Sequence, residues 1–398
     1  MATENKKYIP ALRFPEFQND GEWAFAHIGD LIKTISPPQK LPTSEYKLKG
    51  RFPIIDQSIK YVAGYSDEQT AVVHYNESNC IVFGDHTCTL KLIDFPFIQG
   101  ADGIKIFSSR HKCLLNEYLY QYILANPVLS KAYKRHFSDL KEKKLLYPTN
   151  IHEQRKIADC FLALDKYIDA TKRKLELLKE HKNGLMQKLF PTKGKTTPEL
   201  RFPEFQNNGE WQTMSLGEIT SVVNRRNKSN RSLPIYSINN ADGFVPQSQQ
   251  FAGMDSEARG YDISAYKIIG KHTFAYNPAR INVGSIGYSG ELKDILISSL
   301  YVCFKTMDNV DDDFLMCFFN SYIFNQAVES NVEGGIRSYL FYENFSRINI
   351  AIPSLYEQKR IASCITSIED MIKKTNKQII LFETHKKGLL QQLFPMIK

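Results

Sequence analysis

The segment from Tyr276 to Arg280 is the part of the chain that most invites a catalytic interpretation. Its sequence, Tyr-Asn-Pro-Ala-Arg, partly matches the Asn-Pro-Pro-aromatic motif of adenine methyltransferases. The third and fourth positions depart from that motif, and no glycine-rich turn between a strand and a helix precedes it. The following glycines, Gly284, Gly287 and Gly290, are spaced by three, which fits neither a dinucleotide-binding loop nor a Walker loop. The pattern therefore predicts turns here, without methyl transfer.

Other groups that could perform chemistry stand in less specific settings. The stretch 139–144 offers the charged elements of a metal nuclease site, but a solvated surface before a helix explains it more simply. His86 stands between Asp85 and Thr87 with no nucleophile nearby in sequence, so a loop or base-contact role is preferred to catalysis. The cysteines show no CxxC pair and no His at zinc-ligand spacing, and we expect them to be reduced and structural, with no metal and no cofactor bound. They are Cys80, Cys88, Cys113, Cys160, Cys303, Cys317 and Cys364.

Length and composition favour a globular protein with two folded domains. The chain has 398 residues, of which 42% are apolar. It contains no run of about eighteen uncharged apolar residues and no apolar signal-peptide segment, so we expect a cytoplasmic protein. Its formal charge of +8 is concentrated in residues 151–195, with eleven Lys/Arg against six Asp/Glu, and 357–398, with eight against four. A solvated helix face and a path for a phosphate backbone explain this excess equally well.

The chain repeats itself, and the repeat organises everything else. LRFPEFQNDGEW at 12–23 recurs at 200–211 with one difference, Asp20 against Asn208. EQRKIADC from Glu153 recurs as EQKRIASC from Glu357, and HKNGLMQKLFP is followed 204 residues later by HKKGLLQQLFP. The offset between copies grows from 188 to 204, so the second copy has gained about sixteen residues between these markers. The chain is therefore a tandem duplication.

Between the markers the two copies differ, although both have the pattern of short strands. Runs rich in Ile, Val, Phe and Tyr are separated by Gly, Asn and Asp turns, with helices predicted near 116–124 and 312–321. This predicts two mixed α/β domains, residues 1–150 and 200–354. Turn clusters such as 239–243 and 284–287 would lie on loops, where binding residues usually lie.

Two long helices are predicted over 151–190 and 355–395, with a linker at 191–199. Apolar residues alternate by four and three along each, except at two interruptions per helix, which is typical of a coiled-coil seam. An interior glycine in each helix, Gly184 or Gly388, costs about 1 kcal/mol. Close helix approach could offset this cost, and a tolerated defect is the alternative. The predicted seam residues are Ile157, Phe161, Leu164, Ile168, Leu175, Leu178, Leu185 and Leu189 in the first helix and Ile361, Ile365, Ile368, Ile372, Ile379, Phe382, Leu389 and Leu393 in the second.

The helix lengths and the short linker predict a geometry. At 1.5 Å per residue a forty-residue helix is about 60 Å long, and its seam needs a partner of equal length. The eight residues 192–199 of the linker reach at most about 28 Å, so the second helix should return antiparallel to the first. We therefore expect an α+β fold in which two unlike domains are separated by two antiparallel coiled-coil helices. The internal repeat would be pseudo-two-fold, with the chain termini close together.

At these residues the chain resembles the DNA specificity subunit of type I restriction-modification enzymes. The resemblance covers nearly the whole chain and is carried by the paired LRFPEF segments, the paired helix starts at Glu153 and Glu357, and the paired Gly-Leu-x-Gln-x-Leu-Phe-Pro helix ends. It implies two target recognition domains that bind double-stranded DNA and lend specificity to two methyltransferase subunits and to endonuclease/translocase subunits. The subunit itself would have no catalytic activity, and neither S-adenosylmethionine nor ATP should bind it.

Since the two domains differ, the target should be bipartite and asymmetric, with an unread spacer of about 10 base pairs set by the helices. Polar clusters on the domain loops are the candidate DNA contacts, although surface solubility explains each residue equally well. We expect Arg225 and Arg226, in a segment with four basic residues in seven, to bind DNA. A scaffold that dimerises other proteins and an enzyme with an unrecognised site are the alternatives. The full set is Lys60, Tyr61, Asp85, His86, Thr87 and Lys91 in the first domain and Arg225, Arg226, Lys228, Arg231, Tyr276, Asn277, Arg280, Asn282, Arg337 and Tyr339 in the second.

Overall fold

The structure, a computed structural model, divides the chain into two compact units. It describes residues 8–75, 77–101, 103–130, 134–240, 242–251, 253–331 and 339–394. Unit 1 comprises residues 1–173 and 376–398, and unit 2 comprises 174–375. Each unit combines one sheet-bearing domain with one half of each long helix.

Unit 1 contains short strands and short helices, followed in sequence by the first part of the long helix α4. One-turn 3₁₀ helices lie at Pro15–Phe17, Thr43–Glu45 and Gln69–Ala71. The elements are β1 (Ala24–His27), α1 (Ile28–Leu31), β2 (Ile32–Ile35), β3 (Phe52–Ile55), β4 (Gly64–Ser66), β5 (Val72–Val73), β6 (Cys80–Gly84), β7 (Leu90–Ile93), β8 (Phe97–Gln99), β9 (Ile104–Ser109), α2 (Asn116–Ala125), α3 (Phe137–Glu142), β10 (Lys144–Tyr147) and α4 (Ile151–Leu189).

Unit 2 has the same kinds of element in nearly the same order. Its 3₁₀ helices lie at Pro203–Phe205 and Ile281–Val283. The elements are β11 (Gln212–Ser215), α5 (Leu216–Ile219), β12 (Thr220–Val222), β13 (Ile235–Asn239), β14 (Gly243–Pro246), α6 (Gln247–Gln250), β15 (Lys267–Ile269), β16 (Phe274–Tyr276), β17 (Ile286–Tyr288), β18 (Ile295–Ile297), β19 (Val302–Thr306), α7 (Asp312–Phe319), α8 (Tyr322–Asn331), α9 (Tyr342–Phe345), β20 (Asn349–Ile352) and α10 (Leu355–Leu393).

The sheets of the two units have one topology. The sheet β2-β9-β6-β7 corresponds to β12-β19-β16-β17, and both are antiparallel throughout. The sheet β4-β3-β8-β5 corresponds to β14-β13-β18-β15, and in both the two central strands are parallel. The register agrees as well, since Ile81 faces Phe107 as Phe274 faces Phe304. The variable domains are thus two sequences on one fold, which their faint sequence kinship only hinted at.

Much of the length difference between the copies lies in one connection. Residues 67–71 join β4 to β5, whereas 247–266 join β14 to β15. The longer connection carries α6 and exposes Phe251 and Tyr261, between which the Arg259 guanidinium stacks at 4.2 and 5.1 Å from the ring centroids. The second domain therefore has surface that the first lacks.

A buried ion pair explains why the LRFPEF segment and the helix starts are repeated together. Arg201 donates from Nε and Nη2 to the two carboxylate oxygens of Glu357 at 2.8 and 2.7 Å, and from Nη1 to the backbone carbonyls of Asn208 and Gly209. The hydrogen bond to Glu357 raises the pKa of Arg201 above its ordinary value. Trp211 Nε1 donates to the same carboxylate at 3.3 Å.

Unit 1 contains the same ion pair with one difference. Arg13 binds both oxygens of Glu153 at 2.7 Å, and both side chains are buried. Trp23 occupies the position of Trp211, but its indole N–H has no hydrogen-bond partner among the described residues. The ion pair ties the segment before each domain to the start of the long helix that follows it.

Within each unit, side chains of the two long helices contact one another. In unit 1 the Phe161 and Phe394 rings stack at 5.7 Å, and Tyr167 meets Phe382 edge-on at 4.9 Å. In unit 2, Leu189, Ile361 and Ile365 share one core. Increasing numbers in α4 meet decreasing numbers in α10, so the helices are antiparallel within each unit. Each predicted seam residue is buried or half-buried.

The polar residues that interrupt the seam have partners of their own. Lys182 forms an ion pair with Glu369 at 2.6 Å, and Lys386 forms the equivalent pair with Asp165 at 2.5 Å. The other interruptions, Thr171 and Thr375, each donate a hydroxyl hydrogen bond of 2.7 Å to the carbonyl four residues earlier. The interruptions are therefore satisfied polar sites in the helix contact.

The interior glycines of the helices do not serve internal packing. A Cβ atom added at Gly184 or Gly388 would meet no described atom within 4 Å. Close helix approach, one of the two explanations offered for these glycines, is therefore absent within the described part of the chain.

Candidate nucleic-acid interface

The described candidate residues of the second domain lie mostly at one end of its antiparallel sheet, where several of its strands begin or end. Because neighbouring strands alternate in direction, β12 and β16 end at the edge where β17 and β19 begin. Strands lie about 4.8 Å apart, so the ends of β12 and β16 are about 10 Å apart. The loop 223–234 follows β12 and carries Arg225 to Arg231, and the loop 277–285 follows β16 and carries Asn277 to Asn282.

The first of these loops is held by a buried asparagine that sequence reasoning missed. Asn227 is fully buried, its amide donates to the Arg231 carbonyl at 3.0 Å, and its side-chain oxygen accepts from the Arg231 N–H at 2.9 Å. The Arg225 carbonyl accepts from the N–H of Ile268 at 2.7 Å, which fastens the loop to β15. A lone asparagine in a polar segment gives no sequence signal for this role.

The cations of this loop are available to a ligand. Arg225, Arg226 and Lys228 are exposed and make no side-chain hydrogen bond or ion pair with any residue that the structure describes. Arg231 pairs with Asp294 at 3.3 Å, and both side chains are largely exposed. The loop thus presents three exposed cations on a fastened backbone, which is the kind of charge that an anionic polymer such as a phosphate backbone would require.

The second loop is shaped by its own asparagine and a glycine. Asn277 accepts the N–H of Ala279 on its side-chain oxygen at 3.0 Å and donates its own N–H to the Ser285 carbonyl at 3.0 Å. Gly284 adopts φ +83°, which favours glycine. Arg280 and Asn282 are exposed at this turn. The loop therefore presents one cation and one amide to solvent.

Tyr339 lies beside the same loop. The N–H of Leu340 donates to the Pro278 carbonyl at 3.1 Å, and the Tyr339 ring stacks on Phe341 with centroids 5.6 Å apart. Arg337, another candidate, lies outside the described residues.

In the first domain two turns meet. The β6–β7 turn carries Asp85, His86 and Thr87, and the β3–β4 turn carries Lys60 and Tyr61. These two turns follow β6, which is equivalent to β16, and β3, which is equivalent to β13. The candidate residues of the two domains therefore lie at equivalent places only for the turns after β6 and β16.

The contacts between these two turns are direct. The Thr87 hydroxyl donates to the Gln57 carbonyl at 2.9 Å, and the Lys91 ammonium donates to the carbonyls of Asp56 and Lys60 at 2.8 and 2.6 Å. Tyr61 donates its hydroxyl to the carbonyl of Leu92, and partial desolvation raises its pKa to about 12 although about half of the side chain stays exposed. The structure thus gathers the first-domain candidates into one group, which we call the turn cluster: residues 56–61 and 84–91.

Burial argues against direct DNA contact by three of the predicted residues, and here the structure corrects the sequence interpretation. Lys91 is 5% exposed, its ammonium is used by two carbonyls, and burial lowers its pKa. Asp85 is buried and accepts the N–H of Phe137 at 2.8 Å. Tyr276 is fully buried at the strand position that Phe83 occupies in the first domain, and burial raises its pKa. All three are structural residues.

The remaining first-domain candidates reach the surface. Lys60, Tyr61 and Thr87 are exposed, and His86 is half-buried with its Nδ1 at 3.1 Å from the Lys134 carbonyl. Across the described ranges no group of three or more His, Cys, Asp or Glu side chains is arranged to hold a metal ion. Within the same ranges, no helix has the length and apolar character needed to span a membrane.

Comparison with known proteins identifies a family. The profile of the type I restriction modification DNA specificity domain matches residues 20–180 and 208–381, one match in each copy of the repeat. The type I restriction enzyme MjaVIII specificity subunit of Methanocaldococcus jannaschii is 22% identical, over 98% of this chain and 95% of its own. The putative MjaX specificity subunit of the same organism is 24% identical, over 69% of this chain and 63% of its own.

Solved structures share the fold. The S subunit of a type I restriction-modification system from M. genitalium matches with a TM-score of 0.66 and 16% identity, covering 98% of this chain and 100% of that one. A chain from a structural study of complex assembly and conformational transition in the type I R-M system matches with a TM-score of 0.52 and 12% identity, covering 94% and 97%. The fold that the sequence predicted, two sheet-bearing α+β domains with long helices, is the fold of these proteins.

Proposed function

Because the chain belongs to the type I restriction-modification DNA specificity family, we propose that it reads a bipartite, asymmetric DNA target and directs partner subunits to it. Each domain contributes one half-site. The partners are two methyltransferase subunits, which methylate adenine, and endonuclease/translocase subunits, which cleave. The chain itself is non-catalytic and needs no cofactor.

This proposal rests on one observation: the two domains share a fold but differ in the loops at equivalent positions. The two domains have the same strand order and register, while the loops at the equivalent edge differ in length and charge. Arg225, Arg226 and Lys228 have no counterparts among the first-domain candidates, where the turn cluster presents Lys60 and Thr87 instead. A shared frame with unlike contact residues suits the reading of two unlike sequences.

The long helices support a fixed separation between the half-sites. We propose that α4 and α10 form an antiparallel coiled coil along their full length, with residues 1–150 and 200–354 as recognition domains related by a pseudo-two-fold axis. Such an arrangement would set an unread spacer of about 10 base pairs. The Lys182–Glu369 and Lys386–Asp165 ion pairs, which recur at equivalent places, would fix the register of the helices.

The first experiment is genome-wide mapping of adenine methylation in cells with the chain and its methyltransferase subunit, against cells with the chain deleted. We expect deletion to abolish methylation at one bipartite asymmetric motif, which also supplies both half-site sequences. If no motif is lost while the methyltransferase is present and active, the proposal fails and a protein scaffold becomes the better explanation.

A second experiment tests the cationic loop. Replacing Arg225 and Arg226 with Ala should weaken DNA binding by the assembled methyltransferase complex and reduce the slope of log affinity against log salt by about 2, if each arginine contacts one phosphate. The matched control is Lys193→Ala with Lys195→Ala, which removes two exposed charges from the linker of the same unit. Equal salt slopes for both double variants would exclude a phosphate-binding role for the loop.

A further inference from the structure

One aliphatic side chain of the turn cluster is fully presented to solvent. Ile59 is 94% exposed at the tip of the hairpin formed by β3 and β4. Among the large apolar residues that the structure describes, only Ile59 and Leu48, at 96%, exceed nine-tenths exposure. Leaving an isoleucine in water forgoes the stabilisation that burial would give, so folding alone does not account for Ile59 at this position.

The backbone that carries Ile59 is fastened on both sides. Before it, the Asp56 carboxylate accepts the N–H of Ser58 at 2.9 Å, and the Gln57 carbonyl accepts hydroxyl hydrogen bonds from Thr87 and Thr89 at 2.9 and 3.1 Å. After it, the Lys60 carbonyl accepts from the buried ammonium of Lys91 at 2.6 Å. The turn is therefore preorganised, and Ile59 projects from a fixed position without ordering on contact.

Exposed polar groups of the turn cluster lie beside Ile59. Its neighbour Lys60 is exposed, and the exposed Thr87 hydroxyl is bonded to the same turn. The other fully exposed aliphatic, Leu48, lies on a segment whose backbone pairs with β4, and its neighbour Lys47 is engaged by Asp67 at 2.9 Å. Leu48 shares the exposure of Ile59 but lies in the loop after β2, which is equivalent to the loop after β12 that carries Arg225 and Arg226. It is therefore not a neutral reference position.

Resting on the proposed function, we propose that Ile59 is a specificity-determining residue that packs against the 5-methyl group of one thymine in the half-site of the first domain. A two-stranded ribbon fits the major groove, which is about 12 Å wide, but not the minor groove, which is about 6 Å wide. In the major groove the thymine methyl is the one apolar feature of a base edge, and an aliphatic side chain distinguishes it from cytosine. Lys60 would bind a neighbouring phosphate or guanine edge.

The test uses the methyltransferase complex assembled with the full chain and the target sequence obtained from methylation mapping. Each thymine of both half-sites is replaced in turn by deoxyuridine, which keeps base pairing and lacks only the 5-methyl group. Affinities are measured for the unmodified complex, the Ile59→Ala variant and the control Leu129→Ala, a leucine that is 70% exposed in the loop before α3. Both substitutions lie at exposed positions outside helices and strands, so neither should impair folding.

We expect the unmodified complex to bind about fourfold more weakly at one thymine position when its methyl is removed, the value of one buried methyl group. Ile59→Ala should bind the thymine-containing and the deoxyuridine-containing DNA equally, and Leu129→Ala should retain the difference. The inference is overturned if no thymine position is sensitive, or if Ile59→Ala retains the sensitivity. Failure of the proposed function would look different, because the unmodified complex would then bind its motif no more tightly than unrelated DNA.

Discussion

Removal of Arg201 from its buried ion pair should destabilise unit 2 far more than removal of the pair as a whole. Arg201→Met leaves the Glu357 carboxylate, which is 1% exposed, without its two guanidinium hydrogen bonds. An unpaired buried charge of this kind costs about 3–5 kcal/mol of the free energy of unfolding. The carbonyls of Asn208 and Gly209 lose a donor as well.

The double variant Arg201→Met with Glu357→Leu removes the unpaired charge. The Trp211 indole N–H is then left without this partner, and a buried unpaired donor costs about 1–3 kcal/mol. The carbonyls of Asn208 and Gly209 are exposed and can bind water instead. The double variant should therefore be about 2 kcal/mol more stable than Arg201→Met alone, and the two substitutions should be non-additive.

The chain provides its own reporter for this cycle. It has two tryptophans, Trp23 in unit 1 and Trp211 in unit 2. Urea unfolding followed by fluorescence in a Trp23→Phe background reports unit 2 alone, because Trp211 lies against the ion pair. The reasoning is refuted if the two substitutions are additive within about 0.5 kcal/mol, since contacting charges cannot then be coupled.

Three further predictions follow from the contacts described. Gly184→Ala should stabilise the chain by up to about 1 kcal/mol in urea unfolding, because the added methyl meets no described atom within 4 Å; a loss of stability would contradict this. Lys182→Glu should cost up to about 1 kcal/mol by placing like charges together, and Glu369→Lys in the same chain should restore it. Lys91→Met should lower the free energy of unfolding by about 1–3 kcal/mol, because the carbonyls of Asp56 and Lys60 lose their hydrogen-bond donor. The β3–β4 turn should then be cleaved faster by proteases, and an unchanged cleavage rate would contradict a stabilising role of Lys91 in this turn.

The features that depend on periodicity were predictable from sequence. Apolar spacing predicted both long helices, and the structure has them at Ile151–Leu189 and Leu355–Leu393. The domain topology was not predictable, because its strands are two to six residues long and their order is set by contacts distant in sequence. Two diverged sequences can share a β-sheet register without sharing the residues that would reveal it.

For the candidate site, the sequence supported only the placement of polar clusters on loops. Which loops adjoin one another, and which side chains are buried, could not be derived from it. Lys91 stands between Leu90 and Leu92 in a short strand, and nothing in its sequence neighbourhood indicates that its ammonium is bonded to two backbone carbonyls. The burial of Tyr276 follows from the strand register, which places it where the first domain has Phe83, and that register is known only from the structure.

The division of the two long helices between the units has a consequence for synthesis. Unit 2 is one continuous stretch, 174–375, whereas unit 1 needs residues 376–398 as well as 1–173. Phe394, near the end of the chain, packs on Phe161, Tyr118 and Tyr122 in the core of unit 1. Residues 1–173 are therefore translated before unit 2, but their core is completed only once Phe394 has been made. A ribosome that stops short of Phe394 would release a chain with a complete second unit and an open first core.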